Sequence, residues 1–110
     1  MGAFDTFWSK EHLVKKTIEI DNSLYESLKK LSDKKYDASV NKLINASIME
    51  LSKSEDIGVY IKKKNEISVK HSLLIRESLV KELDRLSEKY HTSIYKLVNI
   101  AISNALEQIK

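Results

Sequence analysis

The chain is written twice, and that repetition constrains its fold more than any other feature of the sequence. Residues 14–48 laid on residues 69–102, with Lys35 as a one-residue insertion, agree at 15 of 34 aligned positions. Lys15 falls on Lys70, Ile20 on Ile75, and Leu24, Leu28 and Leu31 on Leu79, Leu83 and Leu86. Further along, Tyr36, Ser39, Lys42, Leu43, Asn45 and Ile48 fall on Tyr90, Ser93, Lys96, Leu97, Asn99 and Ile102. A unit of about 35 residues buries too little surface to be stable by itself. The two copies are therefore expected to share one core, and 110 residues leave room for one such domain.

Both copies carry the same order of patterns. Val14 to Ile20 and Ile67 to Ile75 alternate apolar and polar residues, the signature of a half-buried strand. Leu24, Leu28 and Leu31, like Leu79, Leu83 and Leu86, then recur at helical spacing on one face. Asp21 is a residue type that caps a helix start and its counterpart Arg76 is not, so the second copy's first helix is expected to begin without a side-chain cap. Tyr36-Asp37-Ala38 and Tyr90-His91-Thr92 interrupt the pattern. Ser39 and Ser93 then cap a second helix, whose apolar face runs through Val40, Leu43, Ile44, Ile48 and Leu51 or through Ile94, Leu97, Val98, Ala101, Ile102 and Ala105. The expected fold class is mostly α with a two-stranded antiparallel ribbon. Its parts are an N-terminal extension (1–13), a first repeat (14–51), a linker (52–66) and a second repeat (67–110) around one shared core.

Composition removes most chemistries. There is no cysteine and no proline, and glycine occurs only as Gly2 and Gly58, which excludes disulfide scaffolds, cysteine nucleophiles, cysteine-based zinc sites and glycine-rich phosphate loops. His12, His71 and His91 are too dispersed to make a metal-binding pair by spacing. No catalytic constellation, metal or cofactor is expected, and no run of about 20 apolar residues suggests a membrane span. The absence of cysteine and of a recognisable leader fits a reducing, cytoplasmic setting. The net charge of +3 is compatible with nucleic acid without requiring it.

A strand, a helix, a tight turn and a serine-capped helix, present twice, resemble the ribbon-helix-helix family of DNA-binding proteins (the MetJ/Arc/CopG type). Asp37-Ala38-Ser39-Val40-Asn41-Lys42-Leu43-Ile44 and His91-Thr92-Ser93-Ile94-Tyr95-Lys96-Leu97-Val98 are similar to that family's turn into its second helix. Asp37 and His91 stand where the family usually has glycine, and both residue types tolerate a left-handed backbone. Family members normally pair one strand from each of two chains. The tandem copies therefore resemble a single-chain pseudo-dimer, similar to the TraY-type proteins of conjugative plasmids.

The resemblance implies a function and a site. Alternate strand side chains would enter the DNA major groove: Lys15, Thr17 and Glu19 from the first copy, Lys70, Ser72 and Leu74 from the second. With the pseudo-twofold axis between Thr17 and Ser72, Glu19 comes opposite Lys70 and Lys15 opposite Leu74. The other face, with Val14, Ile18, Ile20, Val69, Leu73 and Ile75, is then expected to be core, with Lys16 and His71 reaching the sheet edge. The starts of the second helices, through Ser39, Val40 and Lys42 and through Ser93, Ile94 and Lys96, would hold phosphates. Asn45 and Asn99 are expected to hydrogen-bond within the core. Lys62-Lys63-Lys64 read as part of a solvated linker. Phe4, Phe7 and Trp8 are spaced for one helical face, suited to covering the core, joining two molecules or gripping a protein partner. The expected partner is double-stranded DNA, with self-association of pseudo-dimers on it. The expected function is a nucleoid-associated repressor; a plasmid-transfer accessory protein and an antitoxin-like interaction module are the alternatives.

Overall fold

Alternating segments become strands and segments of helical spacing become helices, in the order the repeat dictates. The computed structural model of the protein describes residues 12–34, 39–58 and 60–109. Strand β1 (Leu13–Asp21) runs into helix α1 (Asn22–Lys34), and helix α2 (Val40–Lys53) completes the first half. Strand β2 (Ser68–Arg76), helix α3 (Glu77–Tyr90) and helix α4 (Ile94–Ile109) form the second. The described residues are thus mostly helical, with four helices and one two-stranded antiparallel sheet. The expected N-terminal side chains Phe4, Phe7 and Trp8, and the first turn at Tyr36, Asp37 and Ala38, lie outside the described residues.

The two strands pair along their whole length with Thr17 opposite Ser72, Lys15 opposite Leu74 and Glu19 opposite Lys70, the register expected with the pseudo-twofold axis between Thr17 and Ser72. Since side chains alternate between faces, this register sends Ile18, Ile20, Leu73 and Ile75 inward, and all four are buried. Val14 and Val69 depart from expectation. Val14 is half-buried and Val69 is 40% exposed. Each stands near the start of its strand, whereas the buried residue across from it, Ile75 or Ile20, is near the end where the chain turns directly into a covering helix.

The core is one cluster fed by both halves. Leu28, Ile44, Ile48 and Leu51 join Leu79, Leu83, Leu86, Leu97, Val98, Ala101 and Ile102 beneath the ribbon. Helices α2 and α4 pack against each other at its centre, and each also touches both α1 and α3. Neither half therefore has a core of its own. Burying large aliphatic side chains fully contributes roughly 1.5–3 kcal/mol each, so the separation of the halves is opposed mainly by this cluster.

Helix starts and stops follow local chemistry with one substitution of roles. Ser39 Oγ accepts the Lys42 N–H at 3.2 Å and Ser93 Oγ accepts the Lys96 N–H at 3.2 Å, so both second helices are capped as expected. Asp21 is not spent in this way; its carboxylate accepts hydroxyls from elsewhere. Helix α1 instead receives Glu66, which accepts from the Ser23 hydroxyl and from the Ser23 N–H at 3.4 Å. Arg76 makes no side-chain cap, as expected. Between α3 and α4, His91 adopts the left-handed conformation (φ 51°, ψ 49°), and the Thr92 N–H closes the helix on the Ser87 carbonyl at 3.1 Å.

The segment joining the halves is solvated at its lysines, as expected, but is also anchored to the core. Ile57 is buried, and Asn104 Nδ2 donates to its carbonyl at 3.1 Å. Tyr60 is half-buried and Tyr90 donates its hydroxyl to the Glu55 carbonyl at 3.1 Å. Lys62, Lys63 and Lys64 are exposed, and Lys62 turns back to donate to Ser68 Oγ at 3.2 Å. A fourteen-residue connection (54–67) with apolar anchors at two points has less freedom to lose than an open loop of equal length.

His71 also departs from expectation, because its ring lies under β2 and stacks on Tyr25 of α1 at 3.8 Å between centroids and 10° between planes. Its Nε2 is buried with no hydrogen-bond partner among the described residues. Burial pushes the imidazole pKa below its ordinary 6.5. Below about pH 6.5 the unfolded chain therefore binds a proton that the folded chain refuses, so stability falls as pH drops from there toward the depressed value and then levels off. His71→Phe keeps a ring on Tyr25 and removes the titration. Melting temperatures taken between about pH 7.5 and pH 5 should slope down for the wild type and be flatter for this variant; equal slopes would show that the stack does not exclude the proton.

Candidate nucleic-acid interface

The outward face of the ribbon follows from strand alternation and carries all six side chains expected there. Lys15, Thr17, Glu19, Lys70, Ser72 and Leu74 are exposed, with Leu74 at 44%. Across the strands they form the pairs Lys15 with Leu74, Thr17 with Ser72 and Glu19 with Lys70. The middle pair offers hydroxyls that donate or accept. One end offers an ammonium beside an apolar side chain and the other an ammonium beside a carboxylate, so the face is chemically directional.

A two-stranded ribbon has two open edges, and each is closed at the C-terminal end of its strand by an asparagine from the opposite half. Asn99 of α4 accepts the Asp21 N–H on Oδ1 at 2.8 Å and donates through Nδ2 to the Glu19 carbonyl at 3.1 Å and the Tyr95 carbonyl at 2.8 Å. Asn45 of α2 repeats this on β2. It accepts the Arg76 N–H at 3.0 Å and donates to the Leu74 carbonyl at 2.9 Å and the Asn41 carbonyl at 2.8 Å. These amides use donors and acceptors together, which few other side chains can do. They fix the start of α2 beside the Leu74 end of the ribbon and the start of α4 beside the Glu19 end.

The second-helix residues expected at phosphates are therefore brought to the flanks of the ribbon. Ser39, Lys42, Asn41 and Asn45 share a groove of about 590 Å³ with Leu13, Leu74 and Arg76. On the other flank, Ile94 and Tyr95 share a smaller pocket with Thr17, Glu19 and Lys70. Lys42, Ser39, Lys96 and Ser93 are exposed, whereas Val40 and Ile94 are half-buried and can offer mainly their backbone N–H groups. Helix N-termini of this kind carry a partial positive charge that suits an anion.

One site was not visible from residue types. Asp21 is fully buried, and its carboxylate accepts hydroxyls from Ser68 at 2.6 Å, from Tyr95 at 2.8 Å and from Tyr60, with the Lys62 ammonium at 4.0 Å. Burial alone would raise its pKa, but those hydrogen bonds, with Lys62, outweigh it and hold the carboxyl below its ordinary 3.8. Burial and the Asp21 charge raise the Tyr60 phenol in turn. The equivalent positions at the other end of the ribbon are Arg76, Leu13 and Asn41, so only one end carries this hub. The divergence between copies at these three positions is the signal that could have marked it.

Comparison of the chain with protein-family models, with curated proteins and with solved structures gives no match. No group of three or more His, Cys, Asp or Glu side chains able to hold a metal occurs among the described residues. None of the described helices is long and apolar enough to cross a membrane.

The clamps and the hub give two measurable consequences. Asn99 is fully buried and Asn45 half-buried, so Asn99→Ala should cost about 2–3 kcal/mol in urea unfolding and Asn45→Ala about half as much; the reverse order would mean that the edges are closed by solvent. Asp21 contributes stability that is present above its ordinary 3.8 and lost as pH falls through the lowered folded value. Asp21→Asn should accordingly start less stable and decline less between about pH 5 and pH 2, as followed by circular dichroism.

Proposed function

We propose that this chain is an intramolecular pseudo-dimer of two ribbon-helix-helix repeats that binds double-stranded DNA sequence-specifically and represses transcription by occluding its site. The observation that carries the reading is the ribbon itself. Its outward face holds three side-chain pairs capable of touching base edges, and a serine-capped helix start stands on each flank. The major groove, about 12 Å wide, admits a ribbon whose strands lie about 4.8 Å apart.

In this reading Lys15 and Lys70 donate to guanine O6 and N7, while Thr17 and Ser72 meet base edges in the centre. Glu19 accepts from cytosine N4, and Leu74 packs on a thymine methyl. Backbone N–H groups at Val40 and Ile94, with Lys42 and Lys96, grip phosphates on either side and set the register. Repression needs no chemistry beyond this, because a protein lying in the groove blocks access to the same base pairs.

Selection of bound sequences from random duplex DNA, followed by footprinting, tests the reading, and failure to enrich any sequence would overturn it. Lys15→Ala with Lys70→Ala should abolish preference among sequences while leaving the thermal melt nearly unchanged. Lys42→Ala and Lys96→Ala should each weaken specific and non-specific binding alike and lower the slope of log affinity against log salt by roughly 1. An unaltered salt slope in the double variant would remove the phosphate contacts from the scheme.

A further inference from the structure

The copies differ beneath the ribbon as well as on it. Lys16 of β1 corresponds to His71 of β2, and Val80 of α3 corresponds to Tyr25 of α1. On one side the Tyr25 ring lies flat against His71 and fills the space under the strand. On the other side both large rings are missing, and a pocket of about 360 Å³ opens between β1, α3 and the start of α4. Volumes of roughly 300–1,000 Å³ are those of small-molecule sites.

The lining defines what fits. Ile18, Val80, Leu83 and Ile94 give an apolar floor, and Leu83 and Ile18 are themselves buried. Lys70 and Glu19 stand opposite each other across the strands, so the rim carries one charge of each sign. Lys16 is left over. It projects from the inner side of the sheet, and its ammonium has no hydrogen-bond or ion-pair partner among the described residues. The pocket thus combines an apolar space, bounded where the other half holds a flat ring, with one uncompensated cation.

We propose that this pocket binds a small aromatic carboxylate, its ring on the Ile18 and Val80 floor where the other half has Tyr25, and its anion at Lys16. An aliphatic acid would meet the charge but would lose rotamer freedom that a rigid ring does not have to lose. A neutral ring would fill the floor and leave the cation unmatched. The site stands on the free protein and does not depend on the DNA-binding reading.

The test uses 2-naphthoate and its neutral analogue 2-naphthamide, titrated into the full chain without DNA and followed by amide chemical shifts. The expected result is saturable movement of the Lys16 to Glu19, Val80 and Ile94 amides by 2-naphthoate, with a dissociation constant of about 1 mM or tighter. The amide should bind about tenfold more weakly, the loss of one charge-assisted contact. Lys16→Met should make the two compounds bind alike. Lys16→His with Val80→Tyr, which copies the filled side, should abolish both while the melt stays cooperative; if that variant does not fold, Lys16→Met alone decides the matter. No saturable shift, shifts confined to the opposite flank, or a preference for the acid that survives Lys16→Met would each overturn the proposal.

Discussion

A sheet of two strands has two edges and no interior, and the architecture of this protein turns on how those edges are closed. Unpaired N–H and C=O groups at an edge would otherwise seek water or another strand. Here Asn99 closes the Glu19 to Asp21 edge and Asn45 the Leu74 to Arg76 edge. Each amide comes from the helix of one half and reaches the strand of the other. The same bonds therefore hold the halves together, place the serine-capped helix starts beside the ribbon, and leave the outward side chains free of structural duty.

Because the asparagine amides close the edges on backbone groups of the strands, the outward strand side chains are free to differ between copies. They do so at Glu19 against Leu74, while Lys15 and Lys70 stay alike. The ribbon ends have diverged more deeply. One gathers Asp21, Ser68, Tyr95, Tyr60 and Lys62 into a charged, hydroxyl-rich hub, and the other keeps Leu13, Asn41 and Arg76 around an open groove. The connecting segment explains part of this asymmetry, since Tyr60, Lys62 and Glu66 arrive at one end only.

Repeat matching made the main features of the architecture legible in the sequence. It fixes the element order, and placing the pseudo-twofold axis between Thr17 and Ser72, as the family resemblance implies, gives the strand register. Serine at a helix start has a local role, so Ser39 and Ser93 could be read directly. Asp21 could not, because its hydroxyl partners Tyr60, Ser68 and Tyr95 lie 39, 47 and 74 residues away and a long-range demand overrides the local preference for capping. Val69 misled for a similar reason. Alternation tells which face a side chain takes, but whether that face is covered depends on where the next helix lies. The strand pattern sends His71 from the core side toward the sheet edge, yet the flat Tyr25 ring beside it makes its apolar surface worth burying even with one nitrogen unpartnered.

Both strands of the ribbon belong to one chain, and this has a consequence for how little of the protein is needed. A ribbon assembled from two separate chains falls apart on dilution, since its stability is inseparable from protomer concentration. Here the second strand is tethered by the segment between Lys53 and Ser68, so its effective concentration beside the first is set by the tether rather than by abundance. The ribbon is then as complete in a cell holding a few molecules as in one holding thousands.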